Sequence, residues 1–274
     1  MESDEQTYQN YRLPVPLEFE DVFSHFYIAE NTTEVSLTRI LLPSFQTIMV
    51  FNFGTPASLV SKLGTVIEVD KCIVLGPIKQ AFEYTLSAGA KILVANFKGD
   101  AFYRFFGRAF LSDHLPIHPD KAMEENCFTY LWHQLNNIAT DIEKINRILD
   151  FCRPYLKLQN TVSTLLANLK SGHVNPIKSV AEEMGQSERN IQLAQKKYFG
   201  YSAKEVNRYQ RFIKAIGLIE QATASANEID WFEIISQCGY YDQSQLIHDF
   251  QHFLGFSPKT FLKFQQDICQ AASD

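Results

Sequence analysis

Two stretches near the end of the chain resemble each other, and this repeat constrains the fold more than any other feature. The first is SVAEEMGQSERNIQLAQKKYFGYSAKEV (Ser179 to Val206), and the second is FEIISQCGYYDQSQLIHDFQHFLGFSPKTF (Phe232 to Phe261). Each carries a short apolar helix pattern, a glycine (Gly185 or Gly239), a turn, and a second helix opening near a serine (Ser187 or Ser244). Each closes on glycine, an aromatic and serine, as Gly200-Tyr201-Ser202 and Gly255-Phe256-Ser257. This is the pattern of a helix-turn-helix, in which glycine permits the tight turn and the second helix is presented to a major groove. A single match is weak, whereas two in tandem with matching tails are far more specific.

The repeat sits in a segment, residues 160–274, that reads as helical throughout. The chain before it has a different texture. Residues 1–20 read as a loose leader with Pro14 and Pro16. Residues 21–110 read mostly as short strands: Leu37 to Leu42, Thr47 to Phe53, Thr65 to Val69, Cys72 to Gly76, Phe82 to Leu86 and Ala90 to Phe97. Turn residues separate them, and many short strands at near-regular spacing predict a small barrel or sandwich. After Pro119 the spacing turns helical. Ile138, Ile142, Ile145 and Leu149 fall on one helix face, which predicts a core stripe, while a solvent-facing version would be a dimer seam. The expected architecture is α+β with two domains. A small β-barrel occupies residues 1–118, a helical arm and linker residues 119–159, and an all-α tandem helix-turn-helix domain residues 160–274.

At this point the residues carry a family resemblance. The segment from about residue 160 to 265 resembles the AraC/XylS-type DNA-binding domain. Its second unit matches through Gly239-Tyr240, Asp242-Gln243-Ser244, Phe250, Gly255-Phe256-Ser257-Pro258 and Phe261. The first matches through Val180-Ala181, Gly185, Ser187, Ile191, Lys196-Lys197, Gly200 and Ser202. Arg211, Ala215 and Leu218 resemble the family's linker helix. The β-rich segment resembles the sensor domains that precede such units, through Gly76-Pro77 and the run from Val94 to Gly107. The resemblance implies a cupin-like sensor or dimerisation domain and a transcription regulator whose two recognition helices enter successive major grooves. Four positions depart from the family pattern. Gln195 stands where an aromatic is common and Leu193 where a basic residue is common. Ala203 replaces the usual proline and Val206 the usual aromatic. An amide buried at Gln195 without a partner costs about 1–3 kcal/mol.

Charge sharpens this reading. The whole chain is acidic, with 25 Lys+Arg against 31 Asp+Glu and a net charge of −6. That balance excludes a generic polyanion binder held by a basic surface. Residues 184–214 nevertheless carry net +5, residues 226–264 net −3 and residues 1–159 net −5. A basic stripe is thus confined to the first unit and the helix after it. The start of each second helix would face the bases. Glu188, Arg189 and Gln192 are the base-contact candidates of the first unit, and Gln243, Gln245 and His248 those of the second. Arginine matches guanine O6/N7 and glutamine matches adenine N6/N7 by bidentate geometry. Ser187, Lys196, Lys197, Lys204 and Lys259 are phosphate candidates, which position without specifying sequence.

Other chemistries find little support. Neither a GxGxxG nor a GxxxxGK[ST] nor an HExxH pattern occurs, and no serine or cysteine stands in a nucleophile elbow. Asp113-His114 with His118 and Asp120 could be drawn as a metal cluster, but a polar loop is the better reading. The five cysteines (Cys72, Cys127, Cys152, Cys238, Cys269) are scattered and read as reduced thiols. The polar, acidic N-terminus shows no signal peptide and no run is apolar enough for a membrane span, so a cytoplasmic protein is expected. Aromatics crowd the β region (Phe45, Phe51, Phe53, Phe82, Tyr84, Phe97, Phe102, Tyr103, Phe105 and Phe106), mostly as core, with room for a few to line an effector pocket. The sequence therefore predicts no enzyme, metal or cofactor. It predicts a sequence-specific DNA-binding regulator controlled by a small-molecule effector or by homodimerisation. The alternative is an interaction module whose degenerate helix-turn-helix pair no longer binds DNA, motivated by Leu193, Gln195 and the acidic second unit.

Overall fold

A β-rich N-terminal region is followed by a helical C-terminal region in the computed structural model, which describes residues 8–60, 64–109, 116–123, 126–168, 176–225, 229–263 and the backbone of 268–269. The strands are β1 (Tyr8–Leu13), β2 (Phe23–Asn31), β3 (Leu37–Leu41), β4 (Ile48–Gly54), β5 (Ala57–Val60), β6 (Val66–Val69), β7 (Cys72–Leu75), β8 (Phe82–Leu86), β9 (Ala90–Phe97) and β10 (Ile268–Cys269). They form two five-stranded sheets, ordered β1-β2-β9-β4-β7 and β10-β3-β8-β5-β6. All pairings are antiparallel except β10 with β3. The two sheets stay separate, with no strand pairing between them among the described residues, so the expected barrel is instead an open sandwich.

Side-chain alternation explains how the first sheet is buried on both faces. In β4 and β9, Ile48, Val50, Ile92 and Val94 point into the sandwich, where they meet Leu59, Tyr84 and Leu86 of the second sheet. Their neighbours Met49, Phe51, Phe53, Leu93, Ala95 and Phe97 point the other way. A strand buried on both faces reads as a continuous apolar run, as AKILVANF does. Four helices cover the outer face: α1 (Ala101–Phe106), α2 (Pro119–Met123), α3 (Cys127–Asn136) and α4 (Asp141–Cys152). Thr140 caps α4 by accepting from Glu143 N–H. Ile145 and Leu149 of the predicted stripe are core and Ile138 is half-buried, but Ile142 is exposed. Asp141 at the start of α4 accepts from Tyr11 Oη at 2.6 Å and Lys91 Nζ at 3.0 Å, which ties the helix to β1 and β9.

One further expectation for the N-terminal region needs correction. Part of the supposed loose leader is the edge strand β1, in register with β2 from Tyr8↔Asn31 to Leu13↔Phe26. Its central residues are polar and exposed, so backbone pairing rather than an apolar face holds it. The run from Val94 to Gly107 spans two elements. It ends as strand at Phe97 and restarts as α1, whose residues AFYRFF are buried nearly all round and so carry no helical periodicity.

The helical region comprises α5 (Thr161–Asn168), α6 (Pro176–Met184), α7 (Glu188–Phe199), α8 (Ala203–Ala224), α9 (Trp231–Cys238), α10 (Gln243–Phe253) and α11 (Pro258–Lys263). It packs as two lobes. Val162, Ile177, Val180, Ala181 and Ile191 make the small core of α5–α7. The larger core joins Phe212, Ile216, Phe250, Phe253 and Phe261 of α8, α10 and α11 to Leu42 and Phe45 of the β region. That second lobe and the sandwich therefore share one apolar core across the expected domain boundary.

Candidate nucleic-acid interface

Each repeated stretch folds as two helices joined by a short turn. In the first, α6 ends at Met184 and α7 starts at Glu188. In the second, α9 ends at Cys238 and α10 starts at Gln243. Gly185 and Gly239 close the leading helices with φ of +60° and +71°, a left-handed conformation that glycine adopts without steric penalty. Ser187 caps α7 by accepting from Asn190 N–H. The second helix opens beside Ser244 as expected, and its cap is Asp242, which accepts from Gln245 N–H. The matching tails are caps as well. Ser202 accepts from Glu205 N–H to open α8, and Ser257 accepts from Thr260 N–H to open α11. The repeat is thus a repeat of capping chemistry, which fixes where each helix begins.

The base-contact candidates line the openings of these second helices. Glu188, Arg189 and Gln192 are exposed on the first turns of α7, and Gln243 and His248 are exposed on α10. Gln245 is half-buried, and its Oε1 accepts from Tyr241 N–H at 2.9 Å, so part of its hydrogen-bonding capacity holds the turn. Among the phosphate candidates, Ser187, Lys196, Lys204 and Lys259 are exposed. Lys197 is exposed too, but its ammonium lies 5.8 Å from the ring centre of Tyr103 and 5.4 Å from that of Tyr198. Leu193 is 59% exposed on the same helix.

The basic stripe is thinner than its charge count. Arg208 and Arg211 of α8 both turn to Asp249 of α10, at 2.6 Å and 3.3 Å. Asp249 is 1% exposed, so these two cations hold the second lobe together. Lys214 donates to the Gln237 carbonyl, bonding α8 to α9. The signal for this network lies in α10, where an acid follows Leu246 by three residues and precedes Phe250 and Phe253 on one apolar face.

A set of contacts that the sequence did not reveal joins the two regions. Phe45, the one described non-glycine residue with positive φ (57°), stacks on Tyr209 at 4.6 Å and meets Tyr201 edge-on at 5.2 Å. Tyr209 Oη donates to the Pro43 carbonyl, and Ala81 N–H donates to the Phe253 carbonyl. Lys79 pairs with Glu205 at 2.8 Å. Burial alone would raise the Glu205 carboxyl, but Lys79 and the Ser202 backbone and hydroxyl outweigh it and hold it at about 2. Tyr103 meets Tyr198 of α7 edge-on at 4.9 Å.

The loop considered for a metal contains a different grouping. Asp113 and His114 lie outside the described residues. His118 Nε2 is 3.3 Å from Cys72 Sγ, and its Nδ1 is 3.6 Å from Asp120. Cys72 is buried and burial pushes its thiol up, which keeps it a neutral thiol rather than an activated nucleophile. Asp120 is occupied by Phe128 N–H, Thr129 N–H and the Thr129 hydroxyl. Among the described residues no group of three or more His, Cys, Asp or Glu is arranged to hold a metal, and no helix is long and apolar enough to cross a membrane.

No family model matches the chain, and no curated protein sequence matches it. Among solved structures it is similar to ToxT from Vibrio cholerae, at 15% identity and a TM-score of 0.42, over 87% of this chain and 97% of that one. It is also similar to unsaturated fatty acid-bound wild-type ToxT from Vibrio cholerae strain SCE256, at 14% identity and a TM-score of 0.40, over 85% and 96% of the two chains. An RmlC-like cupin protein from Desulfovibrio desulfuricans is similar at 15% identity and a TM-score of 0.26, over 34% of this chain and 85% of that one.

Proposed function

We propose that this chain is a sequence-specific DNA-binding transcription regulator. In this reading residues 160–274 read double-stranded DNA, residues 1–118 sense an effector or form a homodimer, and residues 119–159 connect the two. The observation that carries it is the duplicated, side-chain-capped helix-turn-helix, with Glu188, Arg189, Gln192, Gln243 and His248 exposed where each second helix begins. Arg189 and Gln192 lie three residues apart on α7, so both can face one groove. Lys196, Lys204 and Lys259 flank these turns and would contact phosphates. Control would act by population shift, with the β region favouring one placement of the reading helices over another.

The test is selection of bound sequences from random duplex DNA, followed by footprinting. Two half-patterns about 10 bp apart are expected if both units engage one face. Arg189→Ala and Gln192→Ala should each relax preference at one position of one half-pattern, at a cost of about 1–3 kcal/mol. No protected site at low salt, with or without candidate effectors, would sink the proposal.

A further inference from the structure

The second helix pair carries no cation of its own. From Ala215 to Pro258 the sequence holds no lysine or arginine, against Glu220, Glu228, Asp230, Glu233, Asp242 and Asp249. Asp249 is buried beneath Arg208 and Arg211, but Asp230, Glu233 and Asp242 are exposed around the openings of α9 and α10. Apolar surface stands open among these carboxylates. Phe232 is 85% exposed and Tyr241 is 93% exposed. A groove of about 520 Å³ lies here, lined by Ile229, Asp230, Trp231, Phe232, Ile235 and Gln243. Contiguous apolar side chains left in water and rimmed by polar groups mark an interaction surface.

The complement is on the same chain. On α7, Arg189, Gln192, Leu193 and Lys196 are exposed and follow one another at steps of three, one and three, which puts them on one face. Leu193 is 59% exposed, so this face is an apolar side chain flanked by cations. The groove is the converse, with aromatic side chains flanked by carboxylates. Net charge is +5 over residues 184–214 and, with six acids and no base, −6 over residues 215–258. A single chain cannot close this contact on itself. α7 leads into the start of α8, whose 22 residues span about 33 Å. Lys214, halfway along α8, donates to the Gln237 carbonyl near the end of α9, so α9 begins toward the far end of α8.

We propose that the exposed face of α7 on one molecule docks into the α9–α10 groove of a second copy of this chain, head to tail. Leu193 would enter the aromatic groove, and Arg189 and Lys196 would meet the carboxylates at its rim. Two different patches form such a contact, so it propagates into rings or filaments rather than stopping at a two-fold dimer. It is thus separate from a homodimer built on residues 1–118. One helix face against one helix pair is a small interface, so association is weak and depends on protein concentration. The contact would cover Arg189 and Gln243, so a second copy and duplex DNA would compete for them. That consequence rests on the proposed DNA reading, whereas the association itself does not.

Sedimentation velocity of the full-length protein, without DNA, tests the contact. At about 0.1 M salt, where charges are screened over about 10 Å, the sedimentation coefficient should climb with protein concentration through the micromolar range. At about 1 M salt, where that length is about 3 Å, it should fall back to one concentration-independent species. Lys196→Glu and Phe232→Asp, made separately, should each raise the concentration of half-association at least about tenfold. An equimolar mixture of the two should associate again and stop at a closed pair, because each variant keeps the face that the other lacks. A wild type that sediments as one species at every concentration overturns the proposal. So does association that resists salt or survives both variants, and so does a mixture no more associated than its components. Hydrogen exchange needs no variant. Raising the wild-type concentration at low salt should slow α7 and α9 amides together, and slowing confined to residues 1–118 would overturn the proposal.

Discussion

Asp249 separates what charge does inside this protein from what charge does on its surface. It is 1% exposed and receives Arg208 at 2.6 Å and Arg211 at 3.3 Å, while the two arginine side chains remain 37% and 26% exposed. The two halves of the network should therefore fail unequally. Asp249→Asn removes the buried charge and leaves two arginines that can turn to water. The loss is that of hydrogen bonds to a charged group, about 2 kcal/mol. The double variant Arg208→Ala/Arg211→Ala leaves the carboxylate buried with no cation beside it. Breaking a buried pair in that way costs about 3–5 kcal/mol.

For a chain of this length each kcal/mol lowers the melting temperature by about 2 °C, so the expected falls are about 4 °C and 6–10 °C. Thermal unfolding followed by far-UV circular dichroism reads both. Of the single arginine variants, Arg208→Ala should be the more damaging, because its contact is the shorter. Equal falls, or a larger fall for Asp249→Asn, would refute the argument that the buried carboxylate is the costly member.

Further expectations follow from the junction and the surface. Gly200→Ala must place a Cβ 2.9 Å from the Ala109 carbonyl oxygen and 3.1 Å from the Pro77 ring, at φ +78°. It should cost about 1–2 kcal/mol for the left-handed backbone alone, more with the clash, measurable as a fall in melting temperature. The Glu205 carboxyl is held at about 2 against an ordinary 4.5. Its stabilisation is complete above the ordinary value and fades as pH falls through that window, so Glu205→Gln should differ from wild type at neutral pH and converge with it near pH 2. Lys196→Ala and Lys204→Ala should weaken all DNA sequences alike and each reduce the salt-dependence slope by about one, read by titrations at several salt concentrations. Hydrogen exchange in the free protein should be faster in α7 than in α10, because the core around α7 is much the smaller.

The parts legible in the sequence were those whose physics is local. Phe82–Leu86 and Ala90–Phe97 are strands with the expected bounds, because β-branched and aromatic residues run between turn residues there. The helix pairs were legible because glycine closures and hydroxyl caps act within a few residues. What escaped was held from a distance. Strand β1 has an exposed polar centre and exists because β2 offers it a register. The sandwich could not be told from a barrel, since closure depends on whether edge strands meet, and alternation reports only which face is buried. Arg208 and Arg211 counted as surface charge until Asp249, about forty residues on, claimed them. Gln195 reads in the sequence as an amide in an apolar position, but that its oxygen is buried without a partner requires the fold.

The two helix pairs differ in how they are tied to the rest of the molecule, and that difference bears on how control could work. The second lobe shares its core with the sandwich through Leu42 and Phe45, and the strained backbone at Phe45 is held by three rings of that lobe. Such a junction cannot shift without exposing apolar surface. The first pair has its own small core and reaches the β region through the Tyr103–Tyr198 contact, the close approach at Gly200 and the walls of a polar cavity. Relative movement on the proposed reading would therefore fall on α7 rather than on α10. The exposed cations Arg189, Lys196 and Lys204 are on or beside that helix, while the second unit is acidic. On the proposed DNA reading, a small displacement of α7 would reposition much of the exposed positive charge near the two second helices without changing the protein's total charge.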